Sequence, residues 1–319
     1  HYYRKNIFEL YFDDLWFKLE QKGLVRSHDF NSILNSNLFK YSPFTTLTQE
    51  QQKTLTSIIH TLDSCETEPH KENYKNRPIF INGDAGTGKT VVATTLFYYL
   101  KTHPKYKSLK IGLVYSNPAM RNVIQQVFAH TPGLRKTDVI APIDVTKHHY
   151  DIIICDEAQR LRQAKNIGRY IVHFKKGNER LHLDNSHDEL DWLLLNAGRL
   201  ILFYDPKQIV CPSDISQTKF DGRLKDRKRG IRPVELKEQM RIHAGSQYVP
   251  YIYDILFQRN NISKKFVNYD FKLFSSFQDM WNALEEKEAA VKLCRFCTGY
   301  GWPWVSKEDS KKPDIQLEG

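Results

Sequence analysis

The chain has 319 residues, of which 47 are Lys or Arg and 37 Asp or Glu; its net charge is +10, its pI is near 9.2 and 40% of its residues are hydrophobic. That length supports a sizeable core and more than one domain. It contains no apolar run of roughly 18 residues, which excludes a transmembrane helix from the expectation, while excess cation attracts phosphate backbones whatever their sequence and makes nucleic acid a candidate partner. The five cysteines (Cys65, Cys155, Cys211, Cys294 and Cys297) are odd in number and scattered, as expected of reduced thiols in a cytoplasmic protein. Cys294-Arg295-Phe296-Cys297 is a lone CxxC without the second pair that a structural zinc site uses.

The chain opens on His1-Tyr2-Tyr3-Arg4-Lys5, with no initiator Met and no signal-type apolar core, so it reads as an excerpt of a longer protein. Phe8, Phe12, Leu15, Trp16 and Leu19 recur at helical spacing and predict an N-terminal helical segment over residues 1–46. After the turn-like Tyr41-Ser42-Pro43-Phe44, Thr48 is placed to cap a helix running through Ile58 and Ile59. Gln51 falls on its first turn, where a carboxamide that both donates and accepts could meet the edge of adenine; a solvated helix start reads the same way. Asp63 to Arg77 is predicted to be a surface loop.

The apolar run Ile79-Phe80-Ile81 then ends in Gly83-Asp84-Ala85-Gly86-Thr87-Gly88-Lys89-Thr90, followed by Val91-Val92-Ala93 and Leu96-Phe97. A strand, the spacing G-x4-G-K-T and a helix form a phosphate cradle. Glycines let backbone N–H groups turn inward around a phosphate chain. Lys89 would reach the β- and γ-phosphates, the Thr90 hydroxyl would ligate Mg²⁺, and the helix N-terminus adds partial positive charge. ATP and Mg²⁺ are the expected cofactors.

A second buried strand, Leu109 to Tyr115, ends in Ser116-Asn117-Pro118-Ala119-Met120-Arg121. Asn117 and Arg121 could seat a nucleic-acid phosphate, or belong to an ordinary strand-to-helix connection. Tyr150 to Cys155 is a continuous apolar strand that delivers Asp156 and Glu157 to the C-terminal edge of a parallel sheet. There Asp156 would hold Mg²⁺ through water and Glu157 would act as general base. Arg160 to His187 is polar and mixed, an insertion of loops and a helix; Leu190, Leu193 and Leu194 mark a further helix with Gly198 as its expected C-cap.

Arg199 to Gln208 repeats the device of a buried strand ending in polar residues. Gln208 there could touch both the γ-phosphate and the attacking water, and an Asp-Pro turn reads the same way. Lys219 to Arg232 is a basic, apolar-poor stretch expected to be a solvated loop able to meet phosphates. Within Leu236 to Arg241, Arg241 could reach the γ-phosphate from a neighbouring domain or lie on the surface. Beyond Tyr248 the pattern predicts a helix, a short strand at Phe271 to Phe274 and a helix from Asp279 to Lys292; Gly299-Tyr300-Gly301-Trp302-Pro303-Trp304 could stack on bases or form a buried aromatic cluster.

In this order the motifs resemble the first half of a superfamily 1 helicase-type motor. Gln51 resembles its adenine-recognising glutamine, Gly83 to Thr90 its motif I, Asn117 to Arg121 its motif Ia, Asp156 to Gln159 its motif II, Asp205 to Gln208 its motif III, and Gln239-Met240-Arg241 its motif IV. Asp-Glu-Ala-Gln-Arg-Leu, Asp-Pro-Lys-Gln and Gly-Tyr-Gly-Trp-Pro-Trp further resemble bacterial helicase-like proteins related to the helicase domain of Schlafen proteins. Tyr204 stands where helicases usually have glycine, and no motif V or VI is recognisable.

The resemblance implies an α/β, RecA-like P-loop NTPase domain over residues 47–235 and the start of a second RecA-like domain over 236–319. It further implies an ATP-dependent motor on single-stranded or partly duplex DNA or RNA, with Lys89, Glu157, Gln208 and Arg241 as catalytic groups and a partner domain or subunit outside this segment. The competing expectation is an ATP-binding switch or assembly module, in antiviral defence for example, that unwinds nothing.

Overall fold

The structure is a computed structural model; it describes residues 15, 17–19, 21–22, 36–67, 78–224, 234–240, 245, 247–259, 264–267, 269–291, 294–297, 305–307, 309 and 312. Phe8, Phe12 and Trp16 of the N-terminal stripe, Arg241, the basic residues 225–232 and the aromatic run 299–304 lie outside them. Two compact units divide the chain, residues 1–246 and 247–319.

In the first unit the elements run α1 (Asn37–Lys40), α2 (Gln49–Thr67), β1 (Ile79–Gly83), α3 (Lys89–Thr102), β2 (Ile111–Val114), α4 (Pro118–Ala129), β3 (Val139–Ile140), α5 (Pro142–Val145), β4 (Tyr150–Cys155), α6 (Ile171–Arg180), α7 (Glu189–Asn196), β5 (Ala197–Tyr204), α8 (Gln217–Leu224) and β6 (Val234–Leu236). The six strands form one sheet in the order β3-β2-β4-β5-β1-β6, and every pairing is parallel. Parallel neighbours need crossovers, which place helices on both faces, so the strands are apolar throughout.

Alternation along the strands then divides the core in two. Ile79, Ile81, Leu113, Ile154 and Phe203 face Leu55, Ile58, Val92, Leu96 and Ile124 of α2, α3 and α4. Phe80, Ile153, Leu200 and Leu202 face Phe174, Leu190, Trp192 and Phe220 of α6, α7 and α8. Each such large side chain contributes about 1.5–3 kcal/mol by leaving water. The register sets Ile79 beside Ile201 and Cys155 beside Leu202, so the ends of β1, β5 and β4 lie in a row, with β5 between the other two.

Three local expectations are corrected. Helix α2 continues through Asp63, where the loop was expected to start, because the Asp63 carboxylate accepts from Tyr106 Oη (2.5 Å) and Lys105 Nζ and draws the last turns onto the body. Gly198 is not a helix cap: β5 starts at Ala197, and a Cβ at Gly198 would lie 2.9 Å from the Asp151 carbonyl oxygen, so glycine is there for close strand approach. In the second unit α9 (Tyr248–Leu256) and α10 (Phe277–Val291) form as the periodicity predicts, but Phe271 to Phe274 is irregular, beside a single bridge of Phe266 with Tyr269.

Candidate nucleotide site and its surroundings

The cradle forms where β1 hands over to α3. Gly86 and Gly88 both adopt φ +84°, open to glycine at little cost, and Gly88 is the N-cap of α3. Conformation disfavours a side chain at both, and a Cβ would also displace a glutamine carboxamide: at Gly86 it would lie 2.1 Å from Gln239 Oε1, and at Gly88 2.2 Å from Gln51 Nε2. Lys89 is buried and folded back over the loop, its Nζ donating to the carbonyls of Gly83 (2.7 Å) and Asp84 (3.0 Å) and lying 3.7 Å from Asp205 Oδ2.

Asp156, just past β4, is fully buried. Its Oδ2 accepts from Thr90 Oγ1 (2.6 Å) and from Tyr115 Oη (2.9 Å), and its Oδ1 from the Glu157 amide (3.0 Å). Burial pushes the Asp156 carboxyl up from its usual range, against the downward pull of the Thr90 and Tyr115 hydrogen bonds. Glu157 is raised too, first by burial and then by the Asp156 charge. Its backbone is left-handed at φ 54°, a strained conformation for glutamate. Buried Gln159 donates to Glu157 Oε2 and accepts through Oε1 from the Asp205 amide (3.1 Å), and Gln208 Nε2 donates to Asp205 Oδ2 (2.6 Å). One hydrogen-bonded chain thus joins Glu157, Gln159, Asp205 and Gln208 across the ends of β4 and β5, with Lys89 at its side.

These groups border a cavity of about 510 Å³ lined by Lys40, Tyr41, Ala85, Gly86, Gly88, Lys89, Thr90, Val91, Glu157, Gln208 and Met240. The glycine cradle, the buried amine and the converging Thr90 and Asp156 oxygens fit a nucleoside triphosphate with a hard divalent cation. Among the described residues no group of three or more His, Cys, Asp or Glu side chains could hold a metal by itself.

The sequence matches the family described as Schlafen group 3, DNA/RNA helicase domain, over residues 76–318. The chain belongs to that family. It is thus a helicase-type P-loop NTPase domain. A Saccharomyces cerevisiae relative, the uncharacterized protein YPL245W, is 25% identical over 295 residues, covering 81% of this chain; the chain spans 62% of that relative's length. Solved structures similar to it include Pif1 helicase from Candida albicans (14% identity, 78% of this chain and 56% of that one, TM-score 0.35), Pif1 from Bacteroides sp in complex with ADP-AlF4 (16%, 66% and 46%, 0.31) and AMPPCP-bound DnaA from Aquifex aeolicus (15%, 80% and 65%, 0.30).

Within this Schlafen-family domain, Ala85, Gly86, Gly88, Lys89, Thr90, Glu157 and Gln208 meet at the cavity, with Asp156 directly behind Thr90. Gln51 sits against the loop instead of lining the cavity: its Nε2 donates to the Thr87 carbonyl (3.1 Å) and its Oε1 accepts from the Thr48 amide (3.0 Å), while Thr48 Oγ1 accepts from the Gln51 amide (3.3 Å). This reciprocal cap ties α2 to the cradle. Gly83 pairs with Leu236 of β6, Thr87 Oγ1 donates to the Asp84 carbonyl (2.9 Å), and the Asp84 carboxylate takes Lys207 Nζ at 2.9 Å. Asn117 and Arg121 stand at the end of β2, apart from the cavity lining. Asn117 Oδ1 accepts from the Ala119 amide as the cap of α4, and Arg121 Nη1 donates to the Tyr115 carbonyl.

Several roles at the site escape the sequence motifs. Lys40 and Tyr41 enter the cavity from the C-terminal end of α1. Gln239 Nε2 donates to the Ala85 carbonyl (2.5 Å) and the Met240 amide to the Gly86 carbonyl (2.9 Å), so residues 239–240 strap the cradle; the Lys237 and Glu238 amides donate to the Glu50 carboxylate on α2. Tyr115 is the third. Its position ending an apolar strand is the one signal the sequence offers.

Proposed function

We propose that this domain hydrolyses ATP with Mg²⁺ and couples the cycle to movement along, or remodelling of, single-stranded or partly duplex nucleic acid. The observation that carries this reading is the Thr90 hydroxyl on Asp156 beside the P-loop cavity whose wall includes Glu157. Thr90 and Asp156 would hold Mg²⁺, which neutralises phosphate charge when bound. Lys89 would exchange its backbone carbonyl partners for phosphate oxygens. Glu157 would take the proton of the attacking water, with burial and the neighbouring Asp156 charge raising its affinity for that proton. Gln208, linked through Asp205 and Gln159 to Glu157, would sense the γ-phosphate. Arg241 would approach it as the first residue after the strap, with residues 236–319 beginning a second RecA-like domain; Asn117 and Arg121 would face the polymer.

The strap favours a second reading. Backbone and side-chain bonds from Met240 and Gln239 to the cradle link its occupancy to the chain beyond β6, as an ATP-dependent switch without unwinding requires. Steady-state ATP hydrolysis with and without single-stranded DNA and RNA, with Lys89→Ala as the blank, separates the two. Turnover stimulated by a polymer and lost in the blank is expected of the motor. Turnover indifferent to both polymers selects the switch, and Glu157→Gln hydrolysing at the wild-type rate overturns the base assignment.

A further inference from the structure

From Ala158 to Asn178 the chain carries six cations and no Asp or Glu. This stretch leaves β4 at the edge of the nucleotide cavity, where Gln159 meets Glu157, then passes beside the end of β2, where Arg162 and Ser116 share Glu189, on its way to α7. Arg160 is spent on Asp214 at 3.2 Å. Among the described residues none of Arg162, Lys165, Arg169, Lys175 and Lys176 enters an ion pair, and the last four are exposed. The excursion therefore presents charge of one sign, which attracts a polyanion.

One point of the run is built to a definite geometry. The Arg162 guanidinium stacks 4.8 Å over the Tyr170 ring. Beneath them lies Glu189, fully buried, with three donors on its carboxylate: the Arg162 amide (2.8 Å) and Ser116 Oγ (3.2 Å) on Oε2, and Tyr170 Oη (2.9 Å) on Oε1. Ser116 leads into α4, and the charge of Arg121 from its first turn, with that of Arg162, acts on the Tyr170 hydroxyl. The Arg162 side chain donates no hydrogen bond to a described residue. A stacked, pre-oriented guanidinium with unspent donors is the group that takes a phosphate in a fork.

We propose that the 158–178 excursion, fastened to the end of β2 by Glu189, is a seat for the backbone of a single polynucleotide strand, in which Arg162 and Arg121 take phosphate oxygens and the exposed cations extend the track. The proposal rests on the nucleic-acid reading above and extends the polymer's path from Arg121, in the motif Ia stretch, to Arg162 and the exposed cations beyond it, which no helicase motif names. Glu189 is a positioning residue here, because it touches Ser116, Arg162 and Tyr170 and not the polymer.

The test is fluorescence anisotropy of the full chain with labelled oligothymidine and oligouridine of about 20 nucleotides, over a range of KCl concentrations, with thermal unfolding of every variant. The double variant R121Q/R162Q is expected to bind at least about tenfold more weakly, with the slope of log K against log salt reduced by about 1.4, roughly 0.7 for each lost phosphate contact to a single strand. Lys107→Ala, before β2 and so at the opposite edge of the sheet, is the charge control and is expected to leave both unchanged. Arg162→Lys keeps the charge and loses the fork, so affinity falls several-fold at an unchanged slope; it also serves should the double variant unfold.

The expected losses in the variants support the seat, and whichever polymer the wild type binds more strongly names the strand as DNA or RNA. If the wild type binds and the variants match it in affinity and slope, the seat is overturned while the nucleic-acid reading stands. If the wild type binds neither polymer, both fall.

Discussion

Glu189 offers a measurement in which a single buried carboxyl sets the pH dependence of folding. Burial pushes its pKa from the ordinary 4.5 to about 7, against the pull of the Arg162 amide and the Tyr170 and Ser116 hydroxyls. The folded protein therefore binds this proton more tightly than the unfolded chain. The contribution is fully present below about pH 4.5, declines as pH rises toward 7 and is absent above it. At about 1.4 kcal/mol for each tenfold in proton affinity, the span amounts to about 3 kcal/mol.

Glu189→Gln removes the titration and keeps the shape. Its Oε1 can take the two donors from Ser116 and Arg162, and its amide can donate to Tyr170 Oη, which then accepts. Urea unfolding of both proteins at about pH 5 and about pH 8 isolates the effect in the difference between them, because titrations common to both, such as that of Asp188, raised to about 6 mainly by burial, cancel. The variant is expected to gain between about 2 and about 3 kcal/mol on the wild type over that interval, which starts just above the pH where the contribution is full. A difference that stays flat within about 0.5 kcal/mol would refute the reasoning and show that the three donors hold the carboxylate charged at its ordinary pKa.

Two further outcomes follow from the cradle. Tyr115→Phe deletes a donor to the fully buried Asp156, and chemical denaturation is expected to show a loss of about 1–3 kcal/mol; a change below about 0.5 kcal/mol would mean that the Thr90 and Glu157 bonds suffice. Gly86→Ala and Gly133→Ala share the strain of φ near +85°, but a Cβ at Gly133 meets only Thr102 Cγ2 at 3.5 Å while one at Gly86 drives into Gln239. Each is expected to cost about 1–2 kcal/mol from strain, with an excess at Gly86 that Gln239→Ala relieves, read by thermal unfolding of the double variant; equal losses would show that the strap yields freely.

The sheet edge that carries the P-loop was legible because its motifs are written in contiguous residues. Gly83 to Thr90 needs one turn, and Asp156-Glu157 needs only an apolar strand to carry it to the sheet edge. The parallel sheet followed from the same runs, since strands apolar on both faces must be covered on both. Local rules failed where a later partner decided. Gly198 has the position of a cap, yet what selects glycine is the Asp151 carbonyl on the neighbouring strand. Asp63 reads as loop until Tyr106 is placed beside it.

The same distinction explains why the motifs were readable singly and their connections were not. Tyr115 and Asp156 are 41 residues apart, Ser116 and Glu189 73, Ala85 and Gln239 154, and no periodicity links members of such pairs. Only the sheet order brings them together: β2 lies beside β4, so adjacent residues past its end reach two different carboxylates. Tyr115 donates to Asp156, behind the nucleotide cavity, while Ser116 donates to Glu189, under the basic excursion. The proposed motor would have to pass a change at its nucleotide to its track, and a strand end holding both carboxylates would be a physical route for it. On this reading Tyr115→Phe should weaken the effect of nucleotide on oligonucleotide affinity as well as stability, whereas Gly133→Ala, which strains a turn remote from both carboxylates, should lower stability alone.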